Sequence, residues 1–270
     1  MPHAKWPPAL AWPLLFVVAA SVGAYVRLDQ LVSQVLLDDE WHAVHQVLDS
    51  APQAMFFDFG FADYSIPLGI LDWYQAHWWG ISETAMRLPM VACGLATLVV
   101  LPAYVAPRLG RATAVVFALL VAISPLLVIF SRTARPYAIT LLLGWIAHGA
   151  FQRYDTSLRG QAVAGVTYGA AASLATWLHP IVALFVLAPM LWSLAELRSV
   201  PPAERRVRLF RLARLAIPTG GLIAALVLPP LFAHPLSLAA KSGADMPGVD
   251  TLIGVWYAWL GTPSTALVIL

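Results

Sequence analysis

The chain has 270 residues, of which 16 are basic and 14 acidic, so the formal net charge is +2 and only 11% of residues are charged. Apolar residues make up 60% of the chain, and the mean hydropathy is +0.75. Because a soluble domain carries about 25% charged residues, this composition excludes a soluble enzyme, a disordered chain and a nucleic-acid-binding protein.

Continuous apolar stretches close to the ~20 residues that cross a bilayer recur along the chain. They predict an all-α, polytopic integral membrane protein with about eight transmembrane helices, in a single transmembrane domain over residues 1–270. The first span is expected to be a retained anchor rather than a cleaved signal peptide. The predicted spans are Ala9–Leu28, Pro89–Ala106, Ala112–Ser131, Pro136–Gln152, Gln161–His179, Ile181–Ala195, Leu215–Ala233 and Leu252–Leu270.

The longest polar insertion, residues 29–88, follows the first span and contains nine acidic residues. Its many aromatic and aliphatic residues argue against disorder, and a loop of this length usually carries function. Glu40–Leu48 has the spacing of a short helix. Ile66–Ile81 is apolar but short, and Asp72 interrupts it, so we expect a helix lying in the plane of the membrane interface.

Basic residues distribute unequally over the two predicted sides of the membrane. With a cytoplasmic N-terminus, 11 basic residues fall inside and 5 outside, whereas 3 acidic residues fall inside and 11 outside. The positive-inside rule therefore predicts a cytoplasmic N-terminus and an outer loop at 29–88. The basic run at 204–214 is expected to be a cytoplasmic loop or an interfacial helix on anionic lipid headgroups, with no role in nucleic-acid binding.

Three adjacent carboxylates, Asp38, Asp39 and Glu40, stand just outside the first span. Neighbouring carboxylates repel one another and need a counter-charge or a proton. One of them is suited to accept a proton from an attacking hydroxyl, and the group is also suited to hold a divalent cation. A solvated acidic loop is the alternative.

Two arginines, Arg132 and Arg135, lie between the third and fourth predicted spans, on the side that is poor in basic residues. Guanidinium groups match phosphate oxygens bidentately, so this segment predicts an anion site at the outer surface; snorkelling to lipid phosphates is the alternative. Arg87 is expected either to neutralise a carboxylate or to add to the anion site.

Metal binding is left open by the sequence. The single Cys93 excludes a disulfide framework and a thiolate cluster. Several histidines fall on the predicted outer side, without a diagnostic ligand spacing. No cofactor is indicated with certainty, and a divalent metal is one use of the outer carboxylates. The outer histidines are His42, His45, His77, His179 and His234.

Three motifs in this order resemble the GT-C membrane glycosyltransferases, on the branch of protein O-mannosyltransferases and lipid A aminoarabinose transferases. Leu37-Asp38-Asp39-Glu40-Trp41 resembles the acidic "DE" motif after the first span. Ser65-Ile66-Pro67-Leu68 through Met86-Arg87-Leu88-Pro89 resembles the "PPL…LFG…RLP" stretch. Residues 131–138, Ser-Arg-Thr-Ala-Arg-Pro-Tyr-Ala, resemble the "SR-x-ARPYA" stretch. The likeness extends over roughly residues 10 to 180.

The resemblance implies inverting transfer of a sugar from a polyprenyl-phosphate donor to an unknown acceptor on the outer face. Asp39 would be the catalytic carboxylate, and Asp38 or Glu40 is expected to assist it or to help hold a cation. Arg132, Arg135 and Tyr137 would lie near the donor phosphate. The family's "HPP" is Ser-Ile-Pro here, and Asp63 is expected to replace the polar group lost there.

Two rival functions follow from the same sequence. A transporter or flippase of lipid-linked sugars would need ionisable residues near mid-span, and few are present. A non-catalytic membrane subunit would tolerate loss of both charged clusters. Because the family's members are usually longer, the chain is expected to be truncated at its C-terminus or to need a partner subunit.

Overall fold

The computed structural model describes residues 11–59, 65–235 and 248–260, and its regular structure is entirely helical, with no strand in those ranges. The predicted all-α class is thereby confirmed. Short 3₁₀ turns at Pro180–Val182 and Leu197–Ser199 precede and follow the tenth helix. The helices are α1 Ala11–Leu28, α2 Asp38–Asp49, α3 Pro52–Met55, α4 Ile66–Trp79, α5 Glu83–Leu109, α6 Arg111–Ile123, α7 Pro125–Ser131, α8 Tyr137–Thr156, α9 Gln161–Leu178, α10 Ala183–Glu196, α11 Pro202–Ala233 and α12 Val249–Leu260.

Four helical stretches are long and apolar enough to cross a membrane. They are α1, α5, the stretch Pro180–Ser199 that contains α10, and α11. The pair α6 and α7, bent by 59° at its break, makes a fifth if it is counted as one span. These lengths and compositions support a membrane-associated helical protein; the full count of eight spans stays a prediction.

The helices α8 and α9 are long, yet neither is among the stretches that are apolar enough to be candidate membrane spans. At 1.5 Å per residue, the 20 residues of α8 measure about 30 Å, the thickness of the hydrocarbon core. His148, Gln152 and Arg153 lower its hydropathy. Small residues occupy much of α9, and eight of its residues are buried. The eighth predicted span extends past residue 260, outside the described residues.

The helices group into two compact units. The first contains α1, α5 from Arg87 onward, α6, α7 and α12, and the second contains α2 to α4 and α8 to α11 apart from the first two residues of α8. In the first unit α1 packs along α6. Gly23 permits this approach, since a Cβ there would lie 3.0 Å from the Cβ of Ala122.

A break between α6 and α7 is the main irregularity of the first unit. Pro125 has no N–H, so the carbonyl of Val121 has no helical donor. Arg27 supplies the missing donors, because its guanidinium donates to the carbonyls of Val121 and Ala122 at 3.0 Å each. The Arg27 side chain is fully buried. The sequence predicted one span here, Ala112–Ser131, with Pro125 as a tolerated internal proline, and that proline is the physical reason for the bend.

The core of the second unit is built from α8, α9, α10 and α11. Tyr168 at its centre is fully buried, and its hydroxyl donates to the carbonyl of Val186 at 2.8 Å. The basic run at 204–214 is the first part of α11, which continues unbroken into the apolar half. Pro202 begins this helix, because the first turn needs no proline N–H.

Most of the described part of the predicted outer loop at 29–88 is helical, with turns and irregular segments between the helices. The short helix expected at Glu40–Leu48 is present as α2, and α4 forms where an interfacial helix was expected. At 14 residues α4 is about 21 Å long, too short to cross the hydrocarbon core. It packs against α2 and α9. Its predicted place in the interface plane stays a prediction.

Candidate functional site

The acidic triplet forms the first turn of α2, in the second unit. Asp39 is exposed, whereas Glu40 is completely buried. The Glu40 carboxylate accepts a hydrogen bond from the backbone N–H of Leu37 at 2.7 Å. The side chain of Asp38 lies outside the described part of the structure.

The two described carboxylates therefore have different environments. Glu40 satisfies one of the N–H groups that a helix start leaves without an intrahelical partner, which is a capping role. Asp39 is accessible to a substrate, and a general base must come within hydrogen-bond reach of the proton that it takes. The geometry thus favours Asp39 over Glu40 as the reactive carboxylate, which is the order that the motif resemblance implied; the catalytic role itself stays a prediction.

Arg87, expected near the carboxylates or the anion site, is fully buried in the first unit. Its guanidinium donates to the carbonyls of Gln34 and Val35 at 2.6 and 2.8 Å. These carbonyls lie just before the acidic triplet in the chain. The structure therefore gives Arg87 a role in fixing backbone, which the sequence did not predict.

The predicted anion segment is a turn in the first unit, immediately after α7. Arg132 is half-buried and donates to the carbonyl of Val26 at 3.1 Å. Arg135 is buried, and its backbone N–H donates to the carbonyl of Thr133 at 2.7 Å. The ring of Tyr137 lies 4.5 Å from that of Phe130. The turn is thus held in place by its own contacts, and its role in phosphate binding stays a prediction.

Asp63, the predicted substitute for a lost polar group, lies outside the described residues. Among the residues that the structure describes, no group of three His, Cys, Asp or Glu side chains is close enough to hold a metal ion.

Sequence reasoning missed a polar cavity of about 300 Å³ in the second unit. Its lining combines an amide, a hydroxyl, a carboxylate, an imidazole and an aromatic ring with the apolar side chains of Ala54 and Met55. The polar groups and the aromatic ring belong to Gln46, Ser50, Asp58, His234 and Phe57. Gln46 lies on α2, seven residues after Asp39, or about 10 Å along the helix axis. The acidic start of α2 was visible in the sequence, but the approach of His234 was not.

Sequence reasoning also missed two buried polar side chains of α4. Asp72 and Gln75 are 1% and 7% exposed. Together with Val44 and Val47 of α2 they border a cavity of about 10 Å³, which is about the room of one water molecule. The interruption of an apolar run by Asp72 is the signal in the sequence that points to a buried polar group here.

The chain was compared with family models, with curated proteins and with solved structures, and nothing matched in any of the three comparisons.

Proposed function

We propose that this protein is a membrane glycosyltransferase that transfers a sugar from a polyprenyl-phosphate donor to an acceptor on the outer face of the membrane. The observation that carries the proposal is the exposure of Asp39 on the first turn of α2, in the same unit as the polar cavity at the other end of that helix. The motif resemblance supports the same reaction. A GT-C-like arrangement with eight spans is part of the proposal.

The proposed chemistry is a single displacement. The Asp39 carboxylate takes the proton of the acceptor hydroxyl, and the acceptor oxygen forms a bond to the anomeric carbon of the sugar. The bond from that carbon to the donor phosphate breaks, and its electron pair stays on the phosphate oxygen. The motif resemblance assigns to Arg132 and Arg135 the stabilisation of the negative charge on the departing lipid phosphate, and this assignment stays a prediction.

The polar cavity fits the part of a sugar-bearing substrate that lies away from the reacting bond. Sugars present hydroxyls to amide, carboxylate and imidazole groups and an apolar ring face to an aromatic side chain. Gln46, Asp58 and His234 provide the first kind of contact, and Phe57 provides the second. Binding energy at such a distance positions the substrate for reaction.

The test is sugar transfer by the full chain in liposomes, with radiolabelled polyprenyl-phosphate hexoses and pentoses as donors. We expect Asp39→Asn to lower the transfer rate by about 100-fold or more, the range lost with a general base. Asp49→Asn is the matched control, because Asp49 is an exposed aspartate at the last position of the same helix. Full activity of Asp39→Asn would show that Asp39 is not the base.

A further inference from the structure

A groove between α9 and α11 in the second unit is separate from every residue of the proposed transfer site. Its volume is about 430 Å³, within the range of small-molecule pockets. Glycines and alanines of α9 form one wall, and apolar residues of α11 form the other. The lining residues used below are Gly165, Gly169, Ala170, Arg214, Pro218 and Leu222.

The groove has one cationic and polar end. Arg214 lies there together with Tyr154 and Gln161. The Tyr154 hydroxyl donates to the carbonyl of Arg211 at 3.0 Å, and the Gln161 amide donates to the carbonyl of Tyr154 at 3.1 Å. These bonds link α8, α9 and α11 at this end, so the polar end is held in place by the fold.

Arg214 also marks a boundary along α11. It is the last charged residue of that helix, and residues 215–233 contain no Asp, Glu, Lys or Arg. In a helix that crosses a bilayer, such a boundary lies at the level of the lipid headgroups. From Arg214 to Leu222 the groove extends about 12 Å along the axis, most of the roughly 15 Å depth of one hydrocarbon leaflet.

From this charge and geometry we infer that the groove binds one acyl chain of an anionic phospholipid, whose phosphate pairs with Arg214. A guanidinium matches the phosphate oxygens. The small side chains of α9 leave the apolar channel open for the chain. The other arginines of α11, at 205, 206, 208 and 211, add a positive potential that favours an anionic headgroup over a zwitterionic one.

The experiment loads the full-length protein with either phosphatidylglycerol or phosphatidylcholine in detergent and counts retained lipids by native mass spectrometry. We expect the wild-type protein to retain phosphatidylglycerol preferentially. Arg214→Gln should weaken that retention about fivefold, the effect of one arginine near a headgroup. Arg206→Gln is the matched control, since Arg206 is an exposed arginine of the same helix that does not line the groove.

A second pair of variants tests the acyl-chain channel by itself. Ala170→Trp places a large ring in the groove from an exposed position, so we expect it to reduce retention of both lipids. Val163→Trp is its control, because Val163 is exposed on α9 outside the groove. Equal retention of the two lipids by the wild type, equal losses in Arg206→Gln and Arg214→Gln, or unchanged retention in Ala170→Trp would each overturn the inference.

Discussion

Three arginine side chains in the first unit donate hydrogen bonds to backbone carbonyls. Arg27, Arg87 and Arg132 each donate to at least one carbonyl, and Arg27 donates to three as well as to the hydroxyl of Ser131. A buried carbonyl without a donor is costly, above all where lipid replaces water. An arginine near the end of a membrane helix is therefore not by itself evidence of an anion site.

The two arginines of the predicted anion segment differ in their accessibility. Arg135 is 7% exposed, whereas Arg132 is half-buried. A guanidinium carries five N–H donors, so the bond from Arg132 to the Val26 carbonyl leaves others for a phosphate. If a lipid phosphate binds this segment, as we propose, Arg132 is the arginine that it reaches with the smaller rearrangement. The sequence could not separate the two, since both stand in the same short motif.

A prediction about a single residue concerns the contribution of Glu40 to the stability of the protein. Replacing Glu40 with Ala removes the acceptor for the Leu37 N–H, and we expect a loss of about 1 kcal/mol in the free energy of unfolding. Glu40→Gln keeps an amide oxygen for the same bond, so its stability should stay near that of the wild type. Thermal unfolding in detergent, followed through the reactivity of Cys93 with a thiol-specific dye, measures both variants.

Sugar transfer by Glu40→Gln then separates a capping role from a catalytic one. We expect this variant to retain transfer activity, because the cap is preserved and Asp39 is unchanged. If it folds like the wild type yet loses transfer as completely as Asp39→Asn, the assignment of the base to Asp39 alone is wrong.

At the scale of the helices, the break at Pro125 and the guanidinium of Arg27 belong together. The proline removes a donor from the backbone, and the arginine replaces it from α1. Composition predicted the span but not its bend, because membrane helices often tolerate proline when a neighbour satisfies the freed carbonyls. Which neighbour does so depends on packing that no local pattern encodes.

The prediction at this scale is a double-mutant cycle. Arg27→Met should destabilise the protein by about 2 kcal/mol or more, since it leaves buried carbonyls without donors. In a Pro125→Ala background the cost should be smaller, because the alanine introduced there restores a backbone N–H for the Val121 carbonyl. Thermal unfolding, followed through the reactivity of Cys93 with the thiol-specific dye, measures the stability of each variant.

The control for that cycle is Pro189→Ala, which changes a proline inside α10 of the other unit. In that background Arg27→Met should cost as much as it does alone. An equal cost in all three backgrounds would contradict the link between Arg27 and the break.

At the scale of the whole molecule, the unequal distribution of basic residues predicts on which side of the membrane each connection between helices lies. In the eight-span arrangement residue 32 lies outside and residue 158 lies inside. Val32 and Leu158 are 81% and 76% exposed, so a cysteine at either position is accessible on its own side. With Cys93 changed to Ser, a membrane-impermeant maleimide added to intact cells should label Val32→Cys and spare Leu158→Cys.

This labelling also tests whether α8 and α9 cross the membrane, since neither is among the candidate spans. If neither α8 nor α9 crosses the membrane, the connection between them lies outside, and Leu158→Cys will be labelled in intact cells. Labelling after the membrane is made permeable is the control that both cysteines are reactive. Labelling of Leu158→Cys before that treatment would contradict the eight-span arrangement.

The sequence by itself determined the helical class, the membrane character, the helix at the acidic triplet and most of the apolar helices. Each follows from composition or from periodicity within one segment. Only the tertiary structure decided that Glu40 is buried while Asp39 is exposed, that Arg27 replaces a donor lost at Pro125, and that two helices enclose a groove beside Arg214. These features depend on residues distant in the chain coming into contact, and such contacts leave no periodic signal in a single sequence.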